Sequence, residues 1–93
     1  MPLDFSARLR VWHRVERGRI QAFTVQLEVL VEDQRTPVVR YDTAHGFAHR
    51  DLYTKDGRQF KTPLGMDFNH GQTFAQRDIL TNWQEYPRIF LEK

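Results

Sequence analysis

The sequence predicts an α+β domain in which an antiparallel sheet of three to five strands is followed by one C-terminal helix. Three observations lead to this prediction. Apolar and polar residues alternate over the first third of the chain, as they do in half-buried strands. Asp56-Gly57 later marks a tight turn between two further extended segments. Near the C-terminus the apolar residues recur at helical spacing instead. Residues 1–93 show no repeat and no internal boundary, and therefore predict a single domain.

The first two predicted strands form a hairpin. From Leu9 to Val15 the odd positions are Leu, Val, His and Val, whereas the even positions are Arg, Trp and Arg. Ile20 to Val31 alternates in a similar way. Such alternation gives a strand one face for the core and one for solvent. The outer face of the first strand then holds Arg8, Arg10, Trp12 and Arg14.

The register of this hairpin follows from the rule that directly opposed residues share a face of the sheet. A two-residue loop at Arg17-Gly18 would oppose Val11 and Thr24, which mixes the two faces. A three-residue loop, Glu16 to Gly18, opposes Val11 and Phe23 and puts the glycine where a positive φ is needed. We therefore predict the three-residue loop.

The middle of the chain adds further strands. A polar turn, Glu32 to Arg35, precedes a predicted third strand, Pro37 to Asp42, and a proline is acceptable at the start of a strand. The pattern leaves open whether Val38 or Val39 faces the core. The Asp56-Gly57 turn then predicts a second hairpin.

The last predicted element is the helix. Asp67 and Asn69 are both candidate N-caps. Pro87 restricts the residue before it and so predicts the end of the helix. Residues at spacings compatible with one helical face are Phe68, Ala75, Ile79, Trp83 and Tyr86.

Composition narrows the class of protein. Apolar residues make up 40% and charged residues 28% of the chain, which is typical of a globular domain. The absence of cysteine excludes a disulfide, a thiolate metal site and a cysteine nucleophile. Because we find no leader pattern and no membrane-length apolar run, we expect a cytoplasmic protein without a membrane partner. A homodimer is also expected, since a chain this small gains stability from a partner.

The densest group of reactive side chains is RYDTAHGFAHRD, at the end of the third strand and in the loop after it. In our first hypothesis, His45 and His49 act as general acid and base. Arg40 or Arg50 would hold a phosphate, and Asp42 would orient one imidazole. This combination predicts cleavage of RNA through its own 2′-hydroxyl, without a metal or other cofactor.

Two alternatives to this hypothesis stay open. In the first, the segment is only a polar loop, in which Asp42 forms a turn and His49 lies at the surface. In the second, His45 and His49 bind a metal together with Asp42 or Asp51. Gly46 disfavours the helix that would bring the two imidazoles to one side.

A second candidate site is the outer face with Arg8, Arg10, Trp12 and Arg14. An indole flanked by guanidinium groups can stack on a base while the charges contact phosphates, which predicts RNA binding. The alternatives are that the arginines only solvate an exposed strand, or that Ile89 to Leu91 cover the indole.

Arg40-Tyr41-Asp42 lies at a strand end after two hairpin strands, and His45 and His49 follow it. In this order of residues the chain resembles the TumE-type toxins of bacterial and archaeal toxin–antitoxin systems. The resemblance covers roughly residues 8–51. The chain departs from the family in having a single histidine at position 49 where those proteins tend to have a cluster, and its C-terminal tail does not match. The resemblance implies a growth inhibitor that acts on RNA and has a cognate antitoxin as its partner.

These observations predict a small toxin-like protein of a toxin–antitoxin or defence module that binds RNA, with metal-free cleavage as a further expectation. The alternative is a protein-binding module without catalysis, such as an antitoxin or a phage-encoded inhibitor, that acts through its sheet or its basic face. A third interpretation is a structural dimer without a ligand site.

Overall fold

The structure is a computed structural model that describes residues 1–92. Its elements are β1 (Pro2–Asp4), β2 (Ala7–Glu16), β3 (Arg19–Val31), β4 (Gln34–Asp42), β5 (His49–Tyr53), β6 (Gln59–Pro63), α1 (Phe68–Asn82) and α2 (Glu85–Glu92). The six strands form one antiparallel sheet whose spatial order is the order of the sequence. The α+β class is confirmed, but the sheet has one strand more and the C-terminus one helix more than the sequence predicted. The missed strand, β1, has only three residues and contains a proline.

Both helices pack against the same face of the sheet. Leu9, Leu27 and Val39 oppose one another in the register and are all buried. The buried apolar helix residues that cover this face are Ala75, Ile79, Tyr86 and Phe90. No helix of residues 1–92 covers the other face, which we call the open face. None of the helices in this range is long and apolar enough to cross a membrane.

The β2–β3 hairpin shows that the predicted register is wrong. The hairpin turns at Arg17 and Gly18, whose φ angles are 53° and 74°, so the loop has two residues. The faces are nevertheless kept apart because β3 carries one extra residue, Gln21, next to the turn. Val11 therefore opposes Val25, two residues beyond the predicted partner. A two-residue loop alone would pair Val11 with Thr24, and the bulge moves this partner by one residue to Val25. Alternation alone does not reveal such a bulge.

A second bulge explains why the sequence could not choose between Val38 and Val39. Leu27 pairs with Val39 and Glu28 pairs with Pro37, so Val38 is the extra residue of β4. Both valines are buried, with exposed fractions of 1% and 0%. Val38 and Val39 both face the core, because a bulge allows two consecutive side chains to enter it.

The start of α1 is tied to the tip of the first hairpin. Asp67 is the N-cap, and its carboxylate accepts a hydrogen bond of 2.8 Å from the N–H of His70. Asn69, the other candidate, instead accepts a hydrogen bond of 3.0 Å from the N–H of Ile20. This contact holds the β2–β3 hairpin against the helix.

Pro87 does not end the last helix, and that prediction is wrong. The chain leaves α1 at Asn82 and begins α2 at Glu85, so the proline lies in the first turn of α2. Proline is tolerated there because the first turn of a helix uses no N–H donor. The predicted apolar positions Phe68, Ala75, Ile79, Trp83 and Tyr86 all belong to the core or pack against it.

Candidate functional site

Two rows of side chains cross the open face from β2 to β6. Directly opposed residues share a face, so the strand register defines each row. The arginine row consists of Arg10, Gln26, Arg40, Asp51 and Lys61. The tryptophan row consists of Trp12, Thr24, Asp42, His49 and Pro63. The fold thus brings the two candidate sites of the sequence together on one surface.

His49 is the centre of the buried part of this surface, with 1% of the residue exposed. Its Nε2 lies 2.8 Å from Asp42 Oδ1 and 3.2 Å from Asp51 Oδ2. Its Nδ1 lies 3.1 Å from the carbonyl oxygen of Phe47. The rings of His45 and Phe47 lie over the imidazole, with centroid distances of 5.7 and 5.2 Å. Both ring nitrogens of His49 are therefore occupied by protein acceptors.

Asp51 is the residue that the catalytic hypothesis left out. It lies two positions after His49 on β5 and so points to the same face, and it is buried with 3% exposed. The alternation of side chains along β5 predicts that Asp51 shares a face with His49, and this pattern could have identified it. Asp42 does contact an imidazole, that of His49, and its Oδ1 also accepts a hydrogen bond from the N–H of Ala44.

The two candidate phosphate-binding arginines lie on opposite faces. Arg40 belongs to the open face, where its Nε donates a hydrogen bond of 2.7 Å to Gln26 Oε1. Arg50 falls between His49 and Asp51 on β5, and strand alternation therefore turns it to the helix side. The structure brings Arg40, Asp42, His45 and His49 to one surface but leaves Arg50 apart from them.

On the helix side, Arg50 lies near a pair of tyrosines. The hydroxyls of Tyr41 and Tyr86 both donate to the carboxylate of Asp78, the first at 2.6 Å. Burial and then the contact with Asp78 raise the pKa of both tyrosines. Burial alone would lower the pKa of Arg50, but the tyrosines outweigh it and raise that pKa. These groups link the sheet to α1 and α2 and are remote from the open face.

At the other end of the open face, Glu28 holds two arginines. Arg8 Nε lies 2.9 Å from Glu28 Oε1, and Arg10 lies 3.5 Å from Oε2. Burial would raise the pKa of Glu28, but hydrogen bonds from Arg8 and Gln26 bring that pKa below its usual value. Arg14 forms no salt bridge with any of residues 1–92. Arg14 and Arg40 are thus without an ion pair among residues 1–92, whereas Arg8 and Arg10 share the single charge of Glu28.

The indole of Trp12 separates two hollows of the open face. One hollow, of about 540 Å³, lies beside Arg10 and Arg40. The other, of about 440 Å³, lies beside Arg14 and residues 42–44. Trp12 is 56% exposed, so the alternative in which the C-terminal residues cover it is wrong. An exposed aromatic ring thus lies between a hollow beside two arginines and a hollow beside Arg14 and Asp42.

A larger hollow, of about 670 Å³, runs along α1 on the helix side. Its walls include Phe74, Arg77 and the exposed pair of Asp67 and His70. None of the residues that the sequence singled out for catalysis or RNA binding lines it. We therefore regard the open face as the candidate site.

The fold and this surface define a small α+β protein that has a six-stranded antiparallel sheet, two helices on one face and a basic open face over a buried His–Asp cluster. The chain belongs to the family described as "Domain of unknown function (DUF7718)", whose model matches residues 1–93. No curated protein and no solved structure matches the chain. The similarity to TumE-type toxins therefore rests on the sequence resemblance alone.

Proposed function

We propose that this protein binds single-stranded RNA across the open face of its sheet. The observation that carries the proposal is the exposed ring of Trp12, with Arg10 and Arg40 beside one hollow and Arg14 beside the other. Aromatic rings bind single strands by stacking on their bases, and arginines beside them contact the phosphates. A paired base could not reach the indole, because it is stacked within its own helix.

The acidic groups of the open face do not oppose this binding. Glu28 is buried and is neutralised by Arg8 and Arg10. Asp51 is buried below the surface that a phosphate would approach, and Asp42, which lines the hollow beside Arg14, is mostly buried. The exposed acid of β2, Glu16, lies at the hairpin end of the strand, whereas the charges beside Trp12 are those of Arg10 and Arg14, which favours a polyanion there.

We expect Trp12→Ala to weaken the binding of a single-stranded RNA oligonucleotide by about 1–3 kcal/mol, the usual effect of removing one stacking ring. Arg14→Gln should reduce the slope of log affinity against log salt concentration by about 0.7, because one phosphate contact is lost. Fluorescence anisotropy at several salt concentrations measures both quantities.

The matched control is Arg77→Gln on the helix side, which removes the same charge and should leave both quantities unchanged. If all three variants bind like the parent protein, the arginines and the indole only solvate an exposed strand, and the proposal fails.

Cleavage of the bound RNA, and with it the toxin hypothesis, depends on His45. This imidazole is exposed, whereas both nitrogens of His49 are occupied by Asp42, Asp51 and Phe47. We expect His45→Ala to abolish growth inhibition in a bacterial host without changing the melting temperature. His70→Ala, another exposed histidine, is the control.

Co-expression of the adjacent gene should relieve the growth inhibition if that gene encodes an antitoxin. Growth inhibition that persists in His45→Ala would contradict the catalytic role. A parent protein that does not inhibit growth would favour the non-catalytic binding module instead.

A further inference from the structure

The hydrogen bond at Nδ1 determines what the other nitrogen of His49 can do. Its partner, the carbonyl oxygen of Phe47, is an acceptor at 3.1 Å, so Nδ1 must carry a proton. In the neutral ring, Nε2 then presents a lone pair. That lone pair faces Asp42 Oδ1 at 2.8 Å and Asp51 Oδ2 at 3.2 Å, which are acceptors as well. Three acceptors directed at one another are compensated either by a proton on Nε2 or by a metal ion between them.

Asp51 provides a second and independent observation. It is buried, and its Oδ1 accepts no hydrogen bond from any residue that the structure describes. Lys61 Nζ lies 3.2 Å from this oxygen and forms an ion pair with it, but not a hydrogen bond. This buried oxygen is therefore compensated by one lysine alone, and a cation bound at Asp51 would add to that compensation.

We infer that Asp42, His49 and Asp51 form a binding site for a divalent transition-metal ion. One ligand atom from each residue lies within 4.8 Å of the other two. Ligands at right angles around an ion with bonds of about 2.1 Å are about 3.0 Å apart, close to the two distances from Nε2.

The donor set indicates the class of ion. One imidazole with two carboxylates suits Mn²⁺, Fe²⁺ or Zn²⁺, whereas Mg²⁺ and Ca²⁺ prefer oxygen ligands alone. The carbonyl oxygen of Phe47 completes the arrangement, because metal-binding histidines almost always donate their other N–H to such an acceptor. This inference does not depend on RNA binding, since none of its observations involves Trp12 or the arginines.

A single proton on Nε2 could fill the same position, and the experiment separates the two cases. Protein treated with EDTA and then dialysed is titrated with ZnCl₂ or MnCl₂ in a calorimeter. We expect saturation at one ion per chain, with MgCl₂ giving no comparable binding. Mn²⁺ should broaden the backbone amide signals of Asp42, His49 and Asp51 in NMR spectra of the unaltered protein.

Two outcomes would overturn the inference. The first is the absence of binding, which leaves a proton at the centre of the cluster. The second is broadening centred on the exposed pair of Asp67 and His70, whose ring and carboxylate lie 2.9 Å apart and could collect metal without a built site.

Variants test the same point. Asp51→Asn keeps the shape of the side chain and should weaken binding at least about tenfold. Lys61→Gln should strengthen binding severalfold, because it removes the ammonium that competes with the ion for Asp51. The lysine is partly exposed, so this variant remains informative even if Asp51→Asn fails to fold. His70→Ala is the control and should bind like the parent. Unchanged affinity in Lys61→Gln would count against the site.

Discussion

Replacing His49 by leucine is expected to lower the free energy of unfolding by about 3–5 kcal/mol, the usual cost of leaving a buried charge without its partner. The substitution leaves the carboxylates of Asp42 and Asp51 buried without the ring nitrogen that lies between them. Denaturation by urea in the presence of EDTA measures the change. His49 is 1% exposed, so its replacement is expected to affect stability and not activity alone.

Two companion variants show whether the buried charges cause the loss. His45→Leu removes an imidazole that is exposed, and should change stability by no more than about 0.5 kcal/mol. Adding Asp42→Asn and Asp51→Asn to His49→Leu removes the unpaired charges and should restore part of the stability. If His49→Leu is as stable as the parent, the contacts of His49 with Asp42 and Asp51 do not stabilise the fold, and the expectation drawn from them is contradicted.

Part of this cluster could be predicted from the sequence, because alternate residues of a strand lie on the same face of the sheet. The pairing of Asp42 with an imidazole required only that β4 and β5 be neighbours, which the order of the strands suggested. The misplaced residue, Arg50, could also have been found, since it alternates with His49 and Asp51 along β5. Arg50 has the same side chain as Arg40, but its position on β5 puts it on the other face of the sheet. What could not be predicted is burial, because the rings of His45 and Phe47 cover His49 only after the loop has folded over the sheet.

The fold was predictable to the same degree. Alternation and turn residues gave the sheet, since each strand contributes these signals locally. The two bulges, at Gln21 and Val38, leave no such signal, because one extra residue changes the register and not the composition. Pro87 does not mark a helix end, because a residue that stops one helix is favourable in the first turn of the next. The predictions are therefore wrong at the two bulges, where one inserted residue changes the register, and at Pro87, where one helix has ended and another begins.

Phe23 on β3 packs against the start of α1. This residue is 1% exposed, and its ring meets that of Phe68 edge to face with centroids 6.3 Å apart. Gly71 lets the helix approach, since a Cβ there would lie 3.4 Å from the Phe23 ring and 3.2 Å from the Cβ of Ala48. The aromatic ring of Phe23 therefore fills the space between the helix and β3 and leaves little room for a side chain at position 71.

We expect Phe23→Ala to lower the free energy of unfolding by about 3–5 kcal/mol, because it leaves a cavity that the packed helix cannot close. Val15→Ala in the same hairpin, at a position 46% exposed, should have a much smaller effect. Phe23 faces the helices and its neighbour Thr24 faces the open side, so Phe23→Ala should keep the RNA affinity of the parent at a temperature where it is folded. A variant that keeps its stability would show that α1 does not depend on this contact. A folded variant that loses RNA affinity would show that the two faces of the sheet are coupled, which the separation of the core from the open face does not predict.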